Sequence, residues 1–141
     1  MEIFKQIKKG RWKNVLTVIA KDAFVANPRA IEEGTVIMHN AVINAGASIG
    51  RACIINTAAI VEHDASVGQY THISTGAVVN GDALIGKFCF VGSNAVVLNG
   101  IRIGDNVMIG AGSVVTHDIL EPGIYVGNPA KFLKEIPCPS I

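Results

Sequence analysis

The chain has 141 residues, half of them apolar and 16% charged, with a formal net charge of +1. That length makes one domain, and the charge balance excludes both a basic field for nucleic acid and an acidic tail. No apolar run approaches the ~18 residues that would span a bilayer. Met1–Lys9 scatters Lys and Glu among isolated apolar residues, unlike a secretory signal, so the composition points to a soluble cytoplasmic protein.

In chain order, residues 1–24 read as a cap. Ile3, Phe4 and Ile7 share one side of a short helix over Glu2–Lys9, Gly10 stops it, and Asn14–Ile19 reads as a short strand. From Val25 a strict repeat takes over. Every sixth residue from Val25 to Val115 is Ile or Val, sixteen positions in succession, although these two types make up only 35 of the 141 residues. Four residues after each repeat start, Thr35, Ala41, Ala47, Cys53, Ala59, Ala65, Thr71, Ala77, Ala83, Cys89 and Ala95 are all small. One residue after the start, Gly50, Gly68, Gly86, Gly92, Gly104 and Gly110 recur, which predicts sharp turns there.

A period of six fits neither a helix nor simple hairpins. It fits a short strand plus a corner, three of which close a triangular coil. Residues 25–118 are therefore predicted to form an all-β parallel β-helix of about five coils, ~24 Å tall at the strand spacing. Stacked coils leave strand edges at both ends, so residues 119–141 are expected to cap the other end. There Pro122-Gly123 marks a turn, and Gly127–Lys131 leads into a short helix or tail. Cys53 and Cys89 fall in one column two coils apart, ~9.6 Å at that spacing and too far for a disulfide. With Cys138 they make no metal spacing, and no metal is expected. Faces carrying Val36, Val42, Val78, Val96 and Val114 would be covered by other copies of the chain.

The stretch Asn56–His72 is richest in chemistry. His63 is third in its hexapeptide, at a corner, so its ring should point outward. Flanked by Glu62 and Asp64 it has an ordinary reading as solvated surface. It also has the intrinsic pKa of a general base, and either acid would fix its tautomer. Gly81 stands one coil on in the same column, ~4.8 Å away, where its N–H would serve a developing oxyanion. His39 and His117 read as surface.

The repeat resembles that of the bacterial hexapeptide-repeat transferases, whose prisms are left-handed trimers. Asn56, the run Val61-Glu62-His63-Asp64 and His72 are similar to one branch of them: the nucleotide-amino-sugar N-acetyltransferases and sialic acid O-acetyltransferases. The likeness runs from about Val15 to Ile136. It implies an acetyl-CoA-dependent acetyltransferase acting on an amino or hydroxyl group of a sugar or nucleotide sugar. By the same likeness His63 is the general base, Asp64 polarises it, and Asn56 belongs to the catalytic set. His72, Ser93 and Ala111 line the coenzyme A cleft with Gly81, and Thr75 stands in line with Ser93 and Ala111. Asp64 stands where some relatives have Glu. Lys131 and Lys134 would meet coenzyme A phosphates or simply be solvated. Those relatives carry a sugar-binding domain before the prism, of which this chain shows only a likeness to the last helix and strand, Glu2–Ile19.

His63 and His72 lie a face and a half apart along a coil, so one prism does not bring both to a single thioester. A homotrimer with its sites between subunits would. Two other readings share the repeat. One is a metalloenzyme resembling the γ-class carbonic anhydrases, which needs a closely spaced histidine pair that positions 39, 63, 72 and 117 do not supply. The other is a non-catalytic scaffold. The unbroken frame leaves no room for the long inserted loop of galactoside- and maltose-type acetyltransferases.

Overall fold

The computed structural model describes residues 15–136. In most hexapeptides only the inward Ile or Val and the residue before it are extended, and the other four make the corner. The strands stack into three sheets. Face one holds Val18–Ile19, Val36–Ile37, Ile54–Ile55, His72–Ile73, Phe90–Val91 and Val107–Ile109. Face two holds Phe24–Val25, Val42–Ile43, Ile60–Val61, Val78–Val79, Val96–Val97 and Val114–Val115. Face three holds Ser48–Ile49, Ser66–Val67, Leu84–Ile85 and Arg102–Ile103. Pairing is parallel and steps by one coil: Val18 lies beside Val36, Val36 beside Ile54, Ile54 beside His72, and His72 beside Phe90. The result is a left-handed parallel β-helix of about six turns.

The inward column is the core: Ile37, Ile43, Ile49, Ile55, Val61, Val67, Ile73, Val79, Val91 and Val97 are buried, and so are all eleven residues of the small column. Outward residues divide by face. Faces one and two present mostly apolar rows, including Val36, Ile54, Phe90 and Met108 on one and Val42, Ile60, Val78, Val96 and Val114 on the other. Face three presents Ser48, Ser66, Leu84 and Arg102.

Three expectations change. The prism is one coil longer than the repeat from Val25 implies, because Val18–Ile19 and Gly123–Val126 join face one; Ile19 continues the six-residue frame one step upstream. After the prism, Gly123–Val126 turns at Gly127–Ala130, which contains a cis Asn128–Pro129 bond, and pairs antiparallel with Lys131–Lys134. This hairpin, not a helix, closes the end of face one, with Tyr125 edge-on to Phe132.

The third change concerns glycine. The left-handed backbone belongs to a different column, three residues after the repeat start: Gly34, Asn40, Gly46, Ala52, Ala58, Asp64, Tyr70, Gly76 and onward to Gly112 all have positive φ. Gly50, Gly68, Gly86 and Gly104 are there for close approach. A Cβ on Gly68 would meet the Gly86 carbonyl carbon at 2.7 Å, and one on Gly104 the Leu120 oxygen at 2.5 Å. The carbonyls of these glycines accept from the Thr–Cys column. Thr35 and Thr71 hydroxyls donate to Gly50 and Gly86 at 2.9 Å, and Cys53 and Cys89 thiols donate to Gly68 and Gly104 at 3.1 Å. Both cysteines are free and buried, and burial pushes the Cys53 thiol up to about 11, away from reactivity. The expected helix over Glu2–Lys9 and Cys138 lie outside the described residues. Among the described residues no helix is long and apolar enough to cross a membrane.

The two glycine columns should respond differently to a methyl group. Gly68→Ala is expected to lose about 1–3 kcal/mol through overpacking. Gly100→Ala, at φ 69° with nothing within 4 Å of the new Cβ, should lose only the left-handed-backbone term of about 1–2 kcal/mol. Urea unfolding of both variants at one protein concentration checks the order.

Candidate active site

His63 follows the face-two strand Ile60–Val61 and projects from the corner between faces two and three, with its side chain 55% exposed. Its Nδ1 lies 3.1 Å from Asp64 Oδ2. Asp64 is held for this contact: its backbone is left-handed at φ 59°, a conformation Asp tolerates, and its N–H donates to Ala45 O at 3.0 Å. Gly46 leaves room for the carboxylate, because a Cβ there would collide with Asp64 Oδ1. The hydrogen bond to Asp64 pushes His63 above the ordinary imidazole range, and the charges of Asp64, Asp82 and Glu62 add to it. Neutral His63 therefore carries its proton on Nδ1 and a lone pair on Nε2. That lone pair lies over Gly81, where a Cβ would come within 2.5 Å of Nε2. An imidazole so held can take a proton at Nε2.

Glu62 is half-buried and adds a contact that sequence reasoning missed. Its Oε2 accepts from Asn44 Nδ2 at 2.8 Å and from the His63 N–H at 3.3 Å. Asn44 stands eighteen residues before Glu62, so the prism's own period was the available signal.

Asn56 does not join this group. Its Nδ2 lies 3.2 Å from His72 Nε2, and its Oδ1 accepts the Thr57 N–H at 2.7 Å. His72 stands on the outer row of face one, edge-on to Phe90 with ring centroids 5.2 Å apart, and burial pulls it below the ordinary imidazole range. Ser93 continues this second group through its hydroxyl, 3.0 Å from that of Ser74. Ala111 follows one coil on at the edge between faces one and two, its N–H closely packed by Gly92. Thus His63, Asp64 and Gly81 come together at one edge, Asn56, His72 and Ser93 at another, and face two separates them. Lys131 and Lys134 are exposed on the closing hairpin.

His39 is not bare surface: its Nδ1 lies 2.7 Å from Asp22 Oδ1, and this hydrogen bond holds the Asp22 carboxyl below its usual range. Both side chains remain exposed. A groove of about 370 Å³ runs over face three, lined by Glu32, Ser48, Arg51, Ser66, Gln69 and Lys87, and includes none of the histidines. Among the described residues no three His, Cys, Asp or Glu side chains are grouped to hold a metal.

With this geometry in place, comparisons give the chain its relatives. A family model described as bacterial transferase hexapeptide (six repeats) matches residues 82–117. The acetyltransferase domain of PglB from Neisseria gonorrhoeae, solved in complex with acetyl coenzyme A, is 35% identical with a TM-score of 0.85 over 94% of this chain. PerB from Caulobacter crescentus, solved with CoA and GDP-perosamine, is 30% identical with a TM-score of 0.88 over 94% of this chain. The chain spans just under two thirds of those structures' own length, 66% and 63%. WeeI from Acinetobacter baumannii, 24% identical with a TM-score of 0.76 over 94% of this chain and 64% of its own, shares the fold. No curated protein matches in sequence. The chain is thus similar to the bacterial hexapeptide transferases through its repeats, and over nearly its whole length to solved bacterial acetyltransferases.

Proposed function

We propose that the chain is an acetyl-CoA-dependent acetyltransferase whose acceptor is an amino or hydroxyl group of a sugar or nucleotide sugar. The observation that carries this reading is the His63–Asp64 pair lying over Gly81. It occurs in a chain alignable over nearly its whole length with acetyltransferases solved with acetyl coenzyme A or with CoA and a nucleotide sugar.

In this reading the acceptor's nitrogen or oxygen attacks the thioester carbonyl directly, and His63 Nε2 takes its proton. The resulting oxyanion is met by the Gly81 N–H. As the C–S bond breaks, the imidazolium returns the proton to the departing thiolate, leaving the acetylated acceptor and coenzyme A. Asp64 keeps the ring oriented and stabilises the imidazolium in between. No nucleophilic Cys or Ser is needed, and the thiols of Cys53 and Cys89 are buried.

Completing the site calls for more than one chain. The His72 and Ser93 group stands across face two from His63, and the outward rows of faces one and two are apolar while face three is more polar. A cytoplasmic homotrimer, with face two of one copy turned toward face one of the next, would cover the apolar rows. It would also bring His63 of one chain toward the Ser93 and Ala111 strip of its neighbour, along which the pantetheine arm would lie.

Coenzyme A release with a panel of amino sugars and nucleotide sugars tests the reading, together with a thermal shift in acetyl-CoA. Turnover in His63→Ala should fall about 10²–10⁴-fold with the oligomer intact. The base works unprotonated, so kcat/KM should rise with pH through the His63 pKa. Because Asp64 raises that pKa, Asp64→Asn should move the acid limb to lower pH while reducing the maximum; an unmoved limb would overturn the assignment. Val78→Asp, on face two, should dissociate the oligomer and abolish activity, whereas Ser66→Asp, on face three, should do neither. Analytical ultracentrifugation decides between them.

A further inference from the structure

We propose that Asn56 is a positioning residue for His72: it holds the ring as the neutral, Nδ1-protonated tautomer, so that face one offers a ligand a hydrogen-bond donor and not a second base.

The argument begins at the backbone. The Thr57 N–H can only donate, and it donates to Asn56 Oδ1 at 2.7 Å. The amide is thereby oriented, and the group facing His72 Nε2 at 3.2 Å is the Nδ2 amide, also a donor. An imidazole nitrogen that accepts carries no proton, so the proton of neutral His72 resides on Nδ1. Among the described residues, burial is the one cause acting on the ring's charge, and it lowers the pKa. The ring's row neighbours are Ile54 and Phe90, the latter packed edge-on. Among the described residues Nδ1 has no hydrogen-bond partner.

His63 is the mirror case. Both rings carry the proton on Nδ1, but on His63 the carboxylate of Asp64 takes up that N–H and leaves the lone pair free. On His72 the amide of Asn56 takes up the lone pair and leaves the N–H free. One corner therefore yields a base and the other a donor, from the same side chain.

The tautomer belongs to the chain alone; only what the donor serves, a ligand oxygen in the seam between copies, rests on the acetyltransferase reading. Ring-nitrogen NMR shifts of the full, ligand-free protein test the first part. Wild-type His72 should show an unprotonated Nε2 and a protonated Nδ1 near neutral pH. Asn56→Asp, whose carboxylate accepts, should transfer the proton to Nε2. A wild-type ring protonated on Nε2, or a tautomer that Asn56→Asp leaves unchanged, would overturn the proposal, and the wild-type spectrum decides even if the variant does not fold. Isosteres test the second part. His72→Asn sets an amide N–H at the place of Nδ1, and His72→Gln sets one at the place of Nε2. The first should keep activity within about tenfold and the second should lose about 10²–10³-fold in kcat with little change in KM. Equal losses in both would overturn the donor role. A chain with the stated tautomer that acetylates no acceptor would instead count against the acetyltransferase reading.

Discussion

Coil-to-coil hydrogen bonding at one fixed register is the constraint on which the rest of the molecule depends. Nearly every N–H before an inward Ile or Val donates to a carbonyl one coil on, as Val36 does to Cys53 and Ile54 to Thr71. Because the bond must recur along three faces, every hexapeptide has to turn at the same place. The chain meets that demand with a left-handed residue in each corner from Gly34 to Gly112. The N–H groups of that corner column are satisfied backwards, Ala58 to His39 and Asp64 to Ala45. A slip of one residue would turn the inward column outward and break both sets at once.

The same scaffold sets the chemistry of its histidines by place. A corner lets His63 stand in water beside Asp64, so a carboxylate dominates and its pKa rises. A face holds His72 between Ile54 and Phe90, so desolvation dominates and its pKa falls. Titratable groups whose surroundings push them apart are the usual ground for dividing acid, base and donor roles. Here the opposite shifts of the two rings follow from whether the residue falls on a strand or in a turn. Asp64 serves both levels, since its left-handed backbone closes a corner while its carboxylate orients the His63 ring.

The prism has two apolar outer faces and one more polar face. The small column and the Ile/Val column bury each other almost completely within the chain, so the outer rows of Val and Ile contribute little to closing the single prism. Placing the two histidine groups on different edges has the same consequence for function as the apolar rows have for association. Both underlie the proposal of a site between copies, and the face-three groove lies away from both histidine groups.

How much of this was legible beforehand depends on the range of the interaction. The all-β solenoid, its inward and small columns, the outward His63 and its one-coil neighbour Gly81 all follow from a period of six, because a strict period states which residues must stack. The boundary of the prism did not follow, since Ile19 and Gly123–Val126 join face one through pairing that the hexapeptide frame from Val25 to Val115 does not display. Nor did the use of glycine: Gly68 and Gly86 looked like turn formers, but their role is set by the backbone of the next coil, and the left-handed position falls on residues as different as Tyr70 and Asp64. Asn56 was grouped with His63 by motif, whereas the fold hands it to His72 one coil on. The sequence by itself determined the repeat and therefore the stack. Only the tertiary structure decided which side chains share a hydrogen bond, because those contacts run between coils and depend on where each corner leaves its donors and acceptors.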